Sequence, residues 1–193
     1  CAPFGDGVAA DGELRINSGV TFVMYGRRFW ATCGELPLPQ LREQGHSALV
    51  IGANRDDWSG TFVSGVGDVN GDGYADFIIG APGVNILTGD TYLVFGSPNR
   101  IGDSTGLLDL RYFDSDQNGD GKPDAIRMVR NGAPVDLFGS LLSGTGDVNG
   151  DGYSDFIVSA AYATAVSGET YLFLGGPDGL PTVNGIFSVD DEV

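Results

Sequence analysis

Three nine-residue segments of the chain carry oxygen-bearing side chains at one shared spacing. Each has Asp at positions 1, 5 and 9, Asn at position 3 and Gly at positions 4 and 6. Side-chain oxygens at positions 1, 3 and 5, a backbone carbonyl at position 7 and a carboxylate at position 9 can surround one Ca²⁺ with about six hard ligands. The spacing therefore predicts three calcium sites, with the ligands Asp68, Asn70, Asp72, Tyr74, Asp76, Asp116, Asn118, Asp120, Lys122, Asp124, Asp147, Asn149, Asp151, Tyr153 and Asp155.

The three loops differ from the helix-flanked EF-hand site. That site needs Glu at position 12 between two helices, whereas position 12 here is Ile79, Arg127 or Val158. Lys122 at position 7 would offer only its carbonyl oxygen. The alternative interpretation is a set of tight Asn-Gly and Asp-Gly hairpin turns with solvated acids. We favour calcium, because three carboxylates within nine residues repel one another unless a cation neutralises them.

A repeat with a period of 79 residues (68 to 147) positions two of these loops. Residues 68–82 read DVNGDGYADFIIGAP and residues 147–161 read DVNGDGYSDFIVSAA, while residues 89–96 recur as residues 168–175. Short runs rich in Val, Ile, Phe, Tyr and Thr alternate with Gly, Asp and Asn, which predicts strands and no helices. Four antiparallel strands per repeat are typical of a β-propeller blade.

The repeat predicts an all-β fold of about two and a half four-stranded antiparallel blades. Residues 1–56 form an incomplete first blade, residues 57–131 a second blade with two calcium loops, and residues 132–193 a third blade with one. Propellers close with roughly 4–8 blades, so we expect a larger propeller or an assembly with identical subunits. The predicted strands are 61–66, 76–79, 91–95 and 125–129 in the second blade, and 138–143, 156–159, 170–174 and 186–189 in the third.

The order of these motifs resembles the FG-GAP repeat, which builds the β-propeller of integrin α subunits and of related surface proteins. Phe138-Gly139 matches the opening Phe-Gly, and Gly80-Ala81-Pro82 matches the Gly-Ala-Pro after the second strand. Departures from the pattern occur at residues 1–3, 59–60 and 159–161. The resemblance implies that the loops bind calcium and that the protein is an extracellular or cell-surface module for adhesion or ligand binding.

Composition and charge narrow the function classes. The net charge is −16, with 21 Asp against 5 Glu, and Lys122 is the only Lys, so we predict no nucleic-acid partner. No run of 18 apolar residues is present, so we predict no transmembrane segment. The single histidine, His46, has no obvious catalytic partner, so we predict no enzyme.

Two functional hypotheses stay open at this point. The first is a module that binds a protein or glycan ligand, and the second is a self-assembling structural protein of a surface or matrix. A propeller attached to a secreted enzyme ranks below both.

The two cysteines, Cys1 and Cys33, lie in the first part of the chain. An even number in a secreted protein favours a disulfide between them. Two free thiols and a lipid-modified Cys1 are the alternatives. Because the chain opens at Cys1 within the repeat pattern, we also expect that a further segment precedes it.

Overall fold

The computed structural model describes residues 2, 4–9, 11–26, 38–130, 132–163, 167–177, 179–182 and 184–189, without the side chains of residues 38 and 39. The elements are β1 (Gly7–Val8), β2 (Leu14–Arg15), β3 (Val20–Met24), α1 (Leu38–Glu43), β4 (Ser47–Ile51), β5 (Phe62–Gly67), β6 (Asp76–Ala81), α2 (Val84–Leu87), β7 (Asp90–Val94), β8 (Leu107–Asp109), a 3-10 helix (Leu110–Tyr112), β9 (Ala125–Val129), β10 (Phe138–Gly146), β11 (Asp155–Ala160), β12 (Glu169–Phe173) and β13 (Ile186–Ser188).

The second blade has the predicted four antiparallel strands, in the order β5-β6-β7-β9. All five residues of β7 are buried, because this strand lies in the middle of the sheet and has neighbouring blades on both faces. Its sequence, DTYLV, suits such a position through its aromatic and β-branched residues.

The expectation that residues 186–189 complete the third blade is wrong. That blade contributes β10, β11 and β12, while β13 pairs in parallel with β9 at the edge of the second blade. The same arrangement occurs one repeat earlier (107 to 186), where β8 pairs in parallel with β4. A three-residue strand is too short for its alternation to reveal which sheet it joins. Phe187 of β13 is buried, and its ring centroid lies 5.6 Å from that of Phe173.

The first blade holds β3, β4 and β8, and an isolated bridge joins Ala2 to Val20. This bridge is the counterpart of the pairing between Ala81 and Asp90 in the second blade. The prediction of no helices is wrong at α1, whose six residues are too few to show a helical period in the sequence.

Apolar side chains fill the spaces between consecutive blades. Phe138 and Phe156 of the third blade pack with Ile78 and Leu93 of the second, and all four are fully buried. A corresponding cluster joins the first and second blades. In the described part of the chain no helix is long and apolar enough to cross a membrane. Cys1 and Cys33 lie outside the described residues, so their pairing stays a prediction.

Candidate calcium-binding loops

Two of the three loops join the first and second strands of a blade. Residues 68–75 connect β5 to β6, and residues 147–154 connect β10 to β11. The register shifts by one residue just before each loop, where Gly67 (φ +80°) and Gly146 (φ +72°) adopt left-handed backbone angles. Such a bulge bends the strand, and here it turns the chain so that the loop folds back on itself.

In loop 68–76 the carboxylates and the amide are held by backbone N–H groups. The Asp68 carboxylate accepts hydrogen bonds from the N–H groups of positions 4, 5 and 6 at 2.7, 3.1 and 2.8 Å. The Asn70 amide oxygen accepts from the N–H of position 5 at 3.1 Å, and the Asp72 carboxylate from that of position 7 at 3.0 Å. The loop therefore gathers positions 1, 3 and 5 on its inner side.

The other two loops repeat this scheme bond for bond. The position 1 carboxylate accepts from positions 4, 5 and 6 at 2.7, 2.9 and 2.8 Å in loop 116–124, and at 2.7, 3.1 and 2.8 Å in loop 147–155. The Asn amide oxygen at position 3 accepts a hydrogen bond from the N–H of position 5 at 2.9 Å in loop 116–124 and 3.1 Å in loop 147–155. The Asp carboxylate at position 5 accepts from the N–H of position 7 at 2.9 Å in both loops. Loop 116–124 thus has the same local structure, although it is inserted before β9 instead of joining paired strands.

The position 9 carboxylate closes the base of each loop. Asp76 accepts from the N–H of position 2 at 2.9 Å and from Gly96 at 2.8 Å, and Asp155 accepts from position 2 at 2.7 Å and from Gly175 at 2.8 Å. Asp124 likewise accepts from position 2 of its loop. The sequence analysis missed Gly96 and Gly175. The sequence feature that could have indicated them is the glycine at the end of each repeated segment, 89–96 and 168–175.

Burial makes two of these carboxylates harder to ionise. It raises the pKa of Asp76 to about 7. Hydrogen bonds from the N–H groups of Gly96 and Val69 lower this pKa, whereas the nearby negative charges of Asp72 and Asp68 raise it further. Burial also raises the pKa of Asp124, with the position 1 and 5 carboxylates of its loop acting in the same direction. A bound cation would stabilise the ionised form of both groups.

The loops of the second and third blades contact each other. The N–H of Ser154 donates to the Asp68 carbonyl and that of Gly176 to the Val69 carbonyl, both at 2.9 Å. The ring of Tyr153 lies against Gly71, where a Cβ would overlap it. Loop 68–76 is therefore held by its neighbour as well as by its own bonds.

Loop 116–124 lies on the other side of loop 68–76, across a cavity of about 340 Å³ that both loops line. The Lys122 Nζ is 3.9 Å from the Asp72 Oδ2, and the Ser97 hydroxyl donates to Asp120 at 2.6 Å. Burial raises the pKa of Asp120, but the hydrogen bonds from Ser97 and from the Lys122 N–H outweigh it, so the net shift is downward. The three loops thus form one acidic row.

The donor set of each loop fits a hard divalent cation. It combines three carboxylates, an amide oxygen and a backbone carbonyl, which are the ligands that Ca²⁺ prefers. Within the described residues no three Asp, Glu, His or Cys side chains converge closely enough to hold a metal ion by themselves. A bound ion would depend on the amide and carbonyl oxygens too, so the fifteen predicted ligands stay a prediction.

Comparison with known proteins identifies two repeats of a known type in the chain. The FG-GAP repeat model matches residues 59–96 and 138–173, which contain the hairpin loops just described. The chain contains two FG-GAP repeats. They lie in its second and third blades, as the sequence predicted.

This chain is similar to integrin α subunits. Integrin alpha-6 of Gallus gallus is 33% identical over 116 residues, which are 60% of this chain and 9% of the relative. Integrin alpha-PS2 of Drosophila melanogaster is 35% identical over 117 residues, 58% of this chain and 7% of the relative. Integrin alpha-6 of Homo sapiens is 28% identical over 116 residues, 60% and 8%. The chain therefore spans less than a tenth of the length of these relatives.

The two motifs that give the FG-GAP repeat its name meet between blades. Phe138 is fully buried, and Gly139 has φ +82°. A Cβ at Gly80 would overlap the Gly139 carbonyl, and a Cβ at Gly89 would overlap the Phe138 backbone. Phe-Gly of one repeat therefore packs against the backbone around Gly-Ala-Pro of the preceding repeat, where side chains have no room.

Proposed function

We propose that this chain is a calcium-binding, extracellular β-propeller module that binds a protein or glycan ligand. The observation that carries the proposal is the hydrogen-bond scheme common to the three acidic loops. The similarity to integrin α subunits supports a place at the cell surface and a role in adhesion.

Calcium would act on both charge and structure. Three bound ions would change the net charge from −16 to −10 (three times +2). Because loop 68–76 contacts both of its neighbours, an ion there would hold the second blade against the third. Sites of the extracellular class bind calcium at about 10⁻⁴–10⁻³ M.

We infer that the ligand binds at the end of the blades opposite the calcium loops. Antiparallel strands place the β6–β7 and β9–β10 connections at that end. Their backbone is left-handed at Asn85–Leu87 (φ +48°, +59°, +68°), Val135 (+71°) and Leu137 (+55°). Strain of this kind in residues other than Gly clusters at ligand-contacting loops. Ile86 is 80% exposed and Val135 53%, which offers apolar contact to a partner.

We propose a binding role rather than a catalytic one. The clustered carboxylates are assigned to calcium, with loop atoms for every ligand position. His46, the single histidine of the chain, lies between α1 and β4, outside the acidic row.

The exposed face of the third blade favours a second candidate, assembly with further blades or identical subunits. Leu172 is 53% exposed, whereas its counterpart one repeat earlier, Leu93, is fully buried. Among the described strands β12 pairs with β11 alone, so its other edge is open. Such a face and edge are typical of surfaces that pair with another chain. Sedimentation of the purified chain in millimolar calcium tests this candidate, and a monomer at all concentrations contradicts it.

Thermal unfolding with and without a chelator tests the proposed calcium sites. We expect the chelator to lower the melting temperature, because calcium one hundredfold above its Kd adds about 2.7 kcal/mol per site. Sodium chloride at matched ionic strength is the control for screening of the acidic surface. A melting temperature that responds to salt alone would sink the calcium assignment.

A further inference from the structure

We propose that a pocket in the first blade binds a tetrahedral oxyanion such as sulfate or phosphate, either free or as the ester group of a larger ligand. The pocket has a volume of about 170 Å³. Its wall includes Arg42 at the end of α1, Ser47 at the start of β4, and Arg100 and Ser104 from the connection between β7 and β8.

Two arginines that have no carboxylate partner among the described residues line this pocket. The described part of the chain contains seven arginines. Five of them pair with a carboxylate: Arg15, Arg55, Arg111, Arg127 and Arg130. Neither Arg42 nor Arg100 has such a partner among the described residues. Arg42 is half-buried and Arg100 is exposed, so neither guanidinium group is tied to a carboxylate of the described residues and both can reach an anion in the pocket. An anion between them would pair with both.

Glycines hold the two side chains in place. A Cβ at Gly45 (φ +68°) would overlap the guanidinium of Arg100, so the charged group lies directly on that backbone. A Cβ at Gly106 (φ +71°) would lie 3.4 Å from Cγ of Arg42. Both arginines therefore pack against the pocket wall, which lowers the entropy lost when an anion binds.

Ser47 gives a second and independent sign of a ligand. It is 1% exposed, it lines the pocket, and its hydroxyl has no hydrogen-bond partner among the described residues. A buried hydroxyl without a partner is destabilising. An oxyanion in the pocket would accept its proton, as it would from the Ser104 hydroxyl.

The repeat shows that this pocket is a modified copy of the one beside the calcium loops. The strand registers make Ser47 the counterpart of Ala125, since they pair with the last residues of β3 and β7. Arg42 lies five residues before Ser47, and Asp120 lies five residues before Ala125. Arg42 and Asp120, a predicted calcium ligand, thus precede equivalent strands by the same number of residues, and each lines the pocket of its blade.

The second arginine fits the same scheme. Arg100 lies seven residues before Leu107, the first residue of β8, and Gly179 lies seven residues before Ile186, the first residue of β13. Gly179 and Asp120 both line the cavity of about 340 Å³ in the second blade. The first-blade pocket thus has two arginines where the second-blade cavity has an Asp and a Gly, which makes its charge more favourable to an anion.

Size and charge define the class of ligand. Pockets for whole small molecules measure roughly 300–1,000 Å³, so about 170 Å³ admits one anionic group and not a sugar ring beside it. Planar guanidinium groups bind oxyanions through paired hydrogen bonds. Glu43 also lines the pocket, and its charge opposes an anion, so both guanidinium groups are needed to outweigh this repulsion.

Calorimetric titration of the full chain with sodium sulfate tests the proposal, with sodium chloride at matched ionic strength as the reference. We expect Arg42→Gln and Arg100→Gln each to weaken sulfate binding by about tenfold or more, as the loss of a charge-assisted hydrogen bond predicts. Arg55→Gln is the matched control, because it removes the same charge from an exposed side chain elsewhere. Equal effects of the three substitutions, or equal binding of chloride and sulfate, would overturn the site.

Ser47→Ala is a second test that stays available if the arginine variants fail to fold. This variant should fold, because the equivalent position of the second blade is already an alanine, Ala125. We expect its melting temperature in sulfate-free buffer to be unchanged or higher, and its stabilisation by sulfate to be smaller. Unchanged stabilisation by sulfate would contradict the site.

Glucose 6-sulfate, inorganic sulfate and glucose separate the two sources of the anion. Tighter binding of the sugar ester than of free sulfate assigns the pocket to an ester group. Tighter binding of free sulfate assigns it to the inorganic ion. Binding of unsulfated glucose as tight as that of its sulfate would again contradict the proposal.

Discussion

The loops 68–76 and 147–155 have the same sequence except at one position, Ala75 in the first and Ser154 in the second, yet their surroundings differ. Val69 of the first loop is fully buried, and its equivalent Val148 is 52% exposed. The first loop lies between two neighbours, whereas no described residue of a further blade covers the second. Identical local chemistry therefore has two structural roles, a joint between blades and an exposed turn.

This difference shows that the local sequence determines the structure of each loop, while the neighbouring blade determines how far the effect of a bound ion extends. The three hydrogen bonds to the position 1 carboxylate have the same lengths in the two loops, 2.7, 3.1 and 2.8 Å. Among the described residues, only loop 68–76 receives N–H groups from the next blade, those of Ser154 and Gly176. We expect its calcium to stabilise two blades and that of loop 147–155 to stabilise one.

Paired substitutions at position 5 test that expectation with the largest effect. Asp72→Asn and Asp151→Asn each keep an oxygen that can accept the N–H of position 7 but remove a ligand charge. Each should cost about 3–4 kcal/mol of calcium-dependent stability when calcium is 100- to 1,000-fold above its Kd. Urea unfolding in calcium and in chelator measures this cost.

Hydrogen exchange then separates the two sites. In Asp72→Asn we expect faster exchange at Ser154 and Gly176, since both donate to loop 68–76. In Asp151→Asn the amides of the second blade should keep their protection. Identical exchange patterns in the two variants would show that the loops are not coupled differently.

A second comparison concerns Asp57 and Asp136, which are one repeat apart (57 to 136). Asp136 pairs with Arg130, whereas the buried Asp57 accepts the Asn54 N–H at 2.7 Å and has no direct ion pair among the described residues. Burial raises the pKa of Asp57 to about 6. The hydrogen bond from the Asn54 N–H lowers this pKa, whereas the negative charge of Asp90 raises it further.

The sign of the pH dependence follows from this shift. The folded-state pKa of Asp57 lies above the unfolded value of about 3.9, so its contribution to stability is complete below about pH 4 and is lost as the pH rises through about 6. Asp57→Asn should therefore gain up to about 3 kcal/mol relative to wild type between about pH 4 and pH 7.5. Asp136→Asn, which loses its ion pair with Arg130, should instead be less stable than wild type at neutral pH. Urea unfolding across this range checks both, and parallel pH profiles for Asp57→Asn and wild type would contradict the shift.

Two glycines give the smallest and most specific test of the contact between loops. Gly71 (φ +74°) and Gly150 (φ +78°) share a left-handed backbone, so alanine costs about 1–2 kcal/mol at either position. A methyl group at Gly71 also overlaps Tyr153, whereas nothing lies within 4 Å of one at Gly150. We expect Gly71→Ala to be less stable than Gly150→Ala by about 1–3 kcal/mol. Equal free energies of unfolding would mean that the Tyr153 contact is not tight.

The sequence predicted the parts of the fold that repeat and alternate. The four strands of the second blade were predicted because each is a run of apolar and β-branched residues between Gly and Asp clusters. The position of β13 was not predicted, because its parallel pairing with β9 depends on a neighbouring blade and leaves no pattern in the local sequence. The short helix α1 was missed for a similar reason, because six residues cannot show a helical period.

The site was predicted unevenly for physical reasons of the same kind. The calcium loops are contiguous, so their nine-residue spacing is visible in the sequence. Arg42 and Arg100 come from different repeats, and only the pairing of β4 with β8 brings them to one pocket. Contacts of that kind follow from the pairing of strands that are distant in sequence and not from any local run of residues.

The number of calcium ions bound per chain tests the central claim most directly. Native mass spectrometry should find three ions on the wild-type chain in millimolar calcium, one for each loop. Asp72→Asn, Asp120→Asn and Asp151→Asn should each bind two. A wild-type chain that binds no calcium, or variants that retain the wild-type number, would contradict the assignment of these loops.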